Sequence, residues 1–337
     1  MGKNDFPELS MKKKVLACLA LALPFALTAC TTVSNLTLNA NWYSRTDTTI
    51  SGNQSETLEY VVEFEAAEDN NFLSYAQGSY TTVLNTENMT LADGGSDTGY
   101  HLVSTLRIPV TYTVGDETAT FEDVVTSEVW FRDTRHELRP VRSVKMVLSH
   151  SPLAVSDPES IEDVYIAYDY TFTTSYDANC TQAEISIEYR SEVDGETQSS
   201  TENHTVELSG AGTYFDNEQI LFSLRAIDPT LGVTFRSINP VRLREETLSA
   251  QAAAVTAPET LTFSINGEAA AEHEVNANSF SIGYTGTNSG LSQSYTYAAL
   301  TDAANNTYRN VLLRMDVPVL HSLGTLHYRL VSAQFIQ

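Results

Sequence analysis

Lysine is almost missing from this chain: beyond residue 29 only Lys145 remains, and the other positive charges are fourteen arginines spread without a cluster. Lys and Arg together number 19 against 43 Asp and Glu, a formal net charge of −24. Such a balance repels phosphate backbones and anionic headgroups, so a nucleic-acid partner is excluded. Cysteine is equally scarce, with Cys18, Cys30 and Cys180 as the whole complement. A disulfide framework is therefore excluded, and stability must come from buried apolar area. Catalytic signatures are absent as well. The seven histidines, at 101, 136, 150, 204, 273, 321 and 327, never fall in the H-x-x-x-H or H-E-x-x-H spacing that sets two rings on one helix face. G-x-S-x-G and the P-loop pattern are missing too, so neither an esterase elbow nor a phosphate cradle is announced, and no catalytic or metal residue is assigned.

What is present begins at the N-terminus. From Met11 the chain reads MKKKVLACLALALPFALTAC: three lysines, an apolar run from Val15 to Leu27, then small residues before Cys30. Charged, apolar and small segments in that order make a secretory signal, and a run of about thirteen residues is short of the roughly 20 needed to span a bilayer. Residues 1–29 are read as a signal peptide, with Met11 as the expected true start. Leu27-Thr28-Ala29-Cys30 resembles the lipobox of bacterial lipoproteins. The resemblance implies cleavage before Cys30, a diacylglycerol on its sulfur, and attachment to the cell membrane or outer envelope, outside the cytoplasm. That covalent lipid is the only group expected on the chain. Asp69-Asn70-Asn71 and Asp93-Gly94-Gly95-Ser96-Asp97 carry the oxygen ligands calcium prefers, but they lack the EF-hand order and read first as turns.

Loss of the leader leaves 15 basic and 41 acidic residues, which makes the remainder more acidic still. Residues 30–56, rich in Thr, Ser and Asn, read as a lipidated polar tether, and residues 57–337 as an antiparallel β domain with an internal boundary near 248–258. The period is two. Leu58, Tyr60, Val62 and Phe64 alternate with polar positions, and Leu102 to Val114 keep one parity until Gly115-Asp116 turns the chain into Ala119–Phe131. Val164–Phe172, Ile185–Tyr189 and Val206–Leu208 repeat the pattern around Asp194-Gly195. Further strands are expected at 141–148, 260–265, 280–284, 294–299, 311–317 and 325–335. The aromatic residues, Tyr165, Tyr168 and Tyr170 among them, are read first as β-formers and second as a platform for sugars.

One segment changes period. Asp216-Asn217-Glu218-Gln219 is a capping sequence, and Ile220, Leu221, Leu224 and Ile227 then lie on one side of a helix of about three turns that ends at Asp228-Pro229. The Ala-rich stretch Leu248–Val255 suggests a second, weaker helix or a linker. The fold class is mostly β: an antiparallel sheet forming an open or incomplete barrel around one central amphipathic helix, with two β-sandwiches as the alternative. Val129-Trp130-Phe131-Arg132, Leu138-Arg139-Pro140-Val141-Arg142-Ser143 and a mid-chain helix before Asn239-Pro240 resemble the LolA/LolB-like envelope proteins. That resemblance implies a concave face holding acyl chains. Two functions follow from these readings. The first is a non-enzymatic binding or carrier protein for an apolar or amphipathic ligand, lined by the Ile220, Leu221, Leu224, Ile227 stripe. The second is a structural or adhesive module recognising glycan or protein. Either would meet the membrane through its lipid, together with an unidentified envelope ligand.

Overall fold

Alternation in the sequence becomes alternation in burial. In strand β1 (Ser55–Ala66) Leu58, Tyr60 and Val62 are buried, while Glu59 between them is exposed. The computed structural model describes residues 55–133, 137–153, 155, 158–193, 196–209, 213–226, 233–239, 242–252, 257–284, 292–299 and 310–336. Cys30, the leader and nearly all of the tether lie outside them, as does Ile227. Since β1 starts at Ser55, the last two residues assigned to the tether belong to the sheet.

The described chain is mostly β, and its strands join in one sheet. From the short β2 (Leu73–Tyr75) the N-terminal half runs on through β3 (Gly78–Thr90), β4 (Ser96–Val114), β5 (Glu117–Arg132), β6 (Pro140–Pro152), β7 (Tyr165–Tyr176), β8 (Gln182–Val193) and β9 (Glu196–Glu207). From β3 to β9 each strand pairs antiparallel with the next, forming an open wing. The β4–β5 hairpin closes through Gly115 at φ +59°, as a tight two-residue turn requires, with Val114 opposite Glu117.

The C-terminal half contributes β10 (Tyr214–Phe215), β11 (Val233–Asn239), β12 (Arg244–Ala252), β13 (Ala257–Ile265), β14 (Ala271–Tyr284), β15 (Gln293–Ala298), β16 (Leu312–Pro318) and β17 (Gly324–Ile336). Strands β13 to β17 pair in succession, and β17 returns to β13 through a short parallel contact at Ser264–Ser332 and Ile265–Ala333. Five strands thus close into a barrel. The other edge of β17 pairs with β1, and β1 with β3, which welds barrel to wing. The expected mostly β class is met in the form of a small closed ring continued by an open sheet.

The described part of the stretch read as a second helix or a linker is neither, and residues 253–255 lie outside the described residues. Leu248 to Ala252 form the end of β12, between β11 and β14, with Leu248 and Ala250 buried. Alternation of a large and a small core residue gives a strand pattern that alanine's helix propensity conceals.

The helical segment after β10 is real but less regular than expected. Asp216 accepts from the Glu218 amide at 2.8 Å, and the Gln219 side chain accepts from the Asp216 amide at 3.1 Å. Only Ile220–Ser223 is α-helical, flanked by 3-10 turns at Asn217–Gln219 and Leu224–Ala226. Its position is central. The Tyr297 hydroxyl of the barrel donates to the Leu221 carbonyl at 2.8 Å, and Phe222 packs on Tyr100 and Phe131 of the wing.

Candidate functional site

The apolar stripe is the first place to look. Ile220 and Leu224 are buried in the main hydrophobic cluster, which draws on wing and barrel together, and Leu221 packs half-buried against it. Leu224 keeps 1 % of its surface and is surrounded by aromatic and aliphatic side chains from both halves. The structure brings these three together inside a packed core.

A cavity does lie beside the segment, but it is polar. Its walls include Ser143, Lys145, Thr174, Asp216 and Glu218, with Phe172 and Ile238 closing it; its volume of about 10 Å³ has room for about one water. Asp216, the cap of the helical segment, is buried here and accepts from the Ser143 hydroxyl at 2.7 Å and the Tyr176 hydroxyl at 2.6 Å. Burial pushes its carboxyl pKa up, neighbouring Glu218 adds to this, and the two hydroxyls work against it. Glu218 is held down despite its burial, because Lys145 lies 2.9 Å away and donates to it. Lys145, the single lysine after residue 29, is therefore committed to an inward-facing ion pair.

Next to this network the inner face of the wing becomes aromatic. Tyr168, Tyr170 and Phe172 occupy alternate positions of β7, and Tyr189 of β8 stands directly opposite Tyr170. Ring centroids lie 5.9 Å apart for Tyr168–Tyr170, 4.7 Å for Tyr170–Phe172 and 6.5 Å for Tyr170–Tyr189, with planes inclined by 64° to 73°. Phe172 is buried, whereas the three tyrosines are only half-buried. Burial raises the Tyr170 pKa, with Lys145 opposing and Glu218 reinforcing the shift; burial and then Glu202 raise that of Tyr189. Rings at such angles offer ring faces, edges and phenol hydroxyls side by side. With the Lys145–Glu218 pair in the adjoining row, the face can donate, accept and stack. Tyr165 is not part of it, because its ring joins Tyr112 and Phe121 in a separate cluster.

Several of the histidines are paired with carboxylates. His150 is stacked on Phe121 with centroids 3.8 Å apart, and its Nδ1 lies 2.9 Å from Asp123. Burial raises Asp123, and His150 offsets part of that rise. His101 lies between Glu87 and Glu128, stacked on Trp130, and His327 lies between Asp316 and Glu65. The loops with calcium-like composition act as turns. Asn70 caps the Phe72 and Leu73 amides and donates to the Leu323 carbonyl, while Asp93 holds the Gly95 amide. Cys180 is buried, and burial pushes its thiol up to about 12, far from a nucleophile's range.

Period and spacing could not have located the tyrosine face, since the meeting of Tyr170 with Tyr189 depends on the β7–β8 register. The signals available were Tyr168 and Tyr170 on one strand, read second as a platform for sugars, and the isolation of Lys145. No protein-family model, curated protein or solved structure matches this chain, so the geometry of its own residues carries the functional reading.

Proposed function

We propose that the chain is a lipid-anchored binding module of the bacterial envelope, tethered through Cys30, whose tyrosine-lined inner face takes a neutral, polyhydroxylated ligand such as a glycan segment. The observation that carries this reading is the group Tyr168, Tyr170 and Tyr189, half-exposed beside the Lys145–Glu218 pair. Sugar rings present C–H faces to aromatics and hydroxyls to charged or phenolic groups, and this face supplies both. An anionic polymer is disfavoured by the net charge of −24.

The carrier reading of the LolA/LolB resemblance needs an apolar hollow. Two features weigh against it. A ring of five strands is narrower than the roughly eight-stranded barrels that hold one small ligand, and the stripe that would line the hollow is packed in the core.

Titration of the purified chain with neutral oligosaccharides, followed by calorimetry and by tyrosine fluorescence, tests the proposal. Tyr170→Ala is expected to weaken binding at least tenfold with the fold intact. Saturable uptake of a fluorescent fatty acid, with no oligosaccharide binding, would return the carrier to first place.

A further inference from the structure

The wing ends in β9, and among the described residues no strand pairs with its outer side. Sheet edges of this length are normally blunted by lysine, proline, a bulge or a covering segment. β9 reads ETQSSTENHTVE, without lysine, arginine or proline, and its register with β8 runs from Glu196 to Glu207 without a shift. Irregularities do occur elsewhere, in β1–β17, β5–β6 and β15–β16. Residues 197–203 are all exposed. Among the described residues, β9 is approached at its C-terminal end, where the Ser209 amide donates to Glu245 at 2.9 Å.

The register also says which groups are free. The Leu208 amide donates to the Thr181 carbonyl, so even-numbered residues of β9 exchange hydrogen bonds with β8, and odd-numbered residues point theirs away from it. Thr197, Ser199, Thr201, Asn203 and Thr205 thus present a ladder of outward amides and carbonyls. We propose that this ladder pairs antiparallel with β9 of a second copy of the chain, across a two-fold axis at Thr201.

Sequence complementarity favours that occupant and that centre. About Thr201, Thr197 meets Thr205, Gln198 meets His204, Ser199 meets Asn203 and Ser200 meets Glu202. No acid faces an acid, although the chain is strongly acidic, and the paired hydroxyl and amide side chains are of the kinds that stabilise antiparallel strands. Moving the axis to Ser199 would set Glu202 against Glu196; moving it to Asn203 would draw in residues beyond 205, which are turned toward β12. The Thr201 centre uses residues 197–205 and no others. An isologous contact of this kind closes as a dimer and leaves no edge for further growth.

Two variants of the full chain test the pairing. Thr201→Pro removes an outward amide while sparing the β8–β9 ladder, as edge prolines do. In mild detergent the parent chain is expected to sediment with twice the protein mass of one copy, and Thr201→Pro with the mass of one, at unchanged β-sheet circular dichroism. Thr201→Cys sets two thiols opposite each other at Cα separations of about 5.5 Å, within disulfide range. It is expected to cross-link under mild oxidation in membranes of the expressing cells, whereas Thr113→Cys, exposed at the far end of β4, is not. A parent chain that is monomeric at its highest soluble concentration would overturn the proposal. So would a dimer indifferent to Thr201→Pro, or cross-linking that is equal at the two positions.

Discussion

Glu56 and Arg225 lie 169 residues apart and meet in the core, each side chain only 5 % exposed. The guanidinium grips the carboxylate with two bonds, at 2.7 and 3.0 Å. The Arg225 carbonyl in turn accepts from Asn310, and its guanidinium lies 5.3 Å from the Phe222 ring. Replacing Glu56 by Gln keeps the shape but leaves a buried cation facing a neutral amide. Removing one partner of such a pair costs about 3–5 kcal/mol, because the desolvation of the other is no longer offset. With a urea slope of about 3 kcal/mol/M, that is a fall of about 1–2 M in the unfolding midpoint. In thermal unfolding it corresponds to a drop of about 10 °C for a chain of this size. The double replacement Glu56→Met with Arg225→Met behaves differently, since it removes both desolvation costs together: stability within about 1 kcal/mol of the parent, or above it, is expected. Urea titrations of the parent, both single variants and the double variant form a complete cycle. A loss under about 1 kcal/mol for Glu56→Gln would mean that the pair is effectively solvated. A double variant as poor as the sum of the singles would mean that the two side chains are not coupled, and either result refutes the reasoning.

Leu224→Ala should cost about 2–5 kcal/mol in urea unfolding without altering the uptake of a fluorescent fatty acid, because the side chain it truncates is enclosed on all sides. Cys30→Ser should abolish lipidation, read as unprocessed mass and altered membrane fractionation, because a hydroxyl cannot form the thioether; unchanged mass and fractionation would remove the lipobox. Asp177 governs an acid transition. Burial works to raise its carboxyl, but hydrogen bonds from the Gln182, Thr181 and Asn179 amides and the Thr181 hydroxyl outweigh this and leave it below the usual 3.8. A folded-state value below the unfolded one contributes stability that is present above 3.8 and lost as pH falls through the lower value. Asp177→Asn should therefore be less stable than the parent at pH 6, and the gap should close as pH falls below 3.8; a gap independent of pH would show that the charge is not involved.

Most strands were legible because one face is buried and the other is not, so a period of two marks β1 from Leu58 to Val62, β4 from Ile108 to Tyr112, the C-terminal half of β7, and β8 from Ala183 to Ile187. Asp216 and Gln219 were legible as a cap for a similar reason: the bonds they make span two or three residues. Leu248–Val255 misled because alanine at position 250 fills a narrow site between β11 and β14, and a small core residue in a strand leaves the same letters as a helix. Closure of the ring was invisible in kind, since it rests on two parallel pairs that join β13 to β17 across nearly seventy residues.

The candidate site was hidden by the same long-range geometry, yet the charge composition held a clue to it. In a chain with more than twice as many acids as bases, acids are too common for any one of them to mark a site, and their excess must face solvent. Cations are the scarce partner. Arg225, Arg132, Arg190, Arg236, Arg242 and Lys145 each meet a carboxylate within 3.1 Å, and they tie together elements far apart in sequence as well as near neighbours. Lys145 is the exception in kind. A lysine is more strongly hydrated than an arginine and is usually left in water, so placing the one lysine after residue 29 against Glu218, on the inner face and next to three half-exposed tyrosines, incurs a desolvation cost that arginine would have reduced. Arginine serves in the other ion pairs of permanent cations described. Lysine's compact charge, on a stem that can turn toward either Glu218 or a hydroxyl laid across Tyr170, suits a position where the partner changes when a ligand arrives, and that is the reason to look for the binding event at this row of the wing.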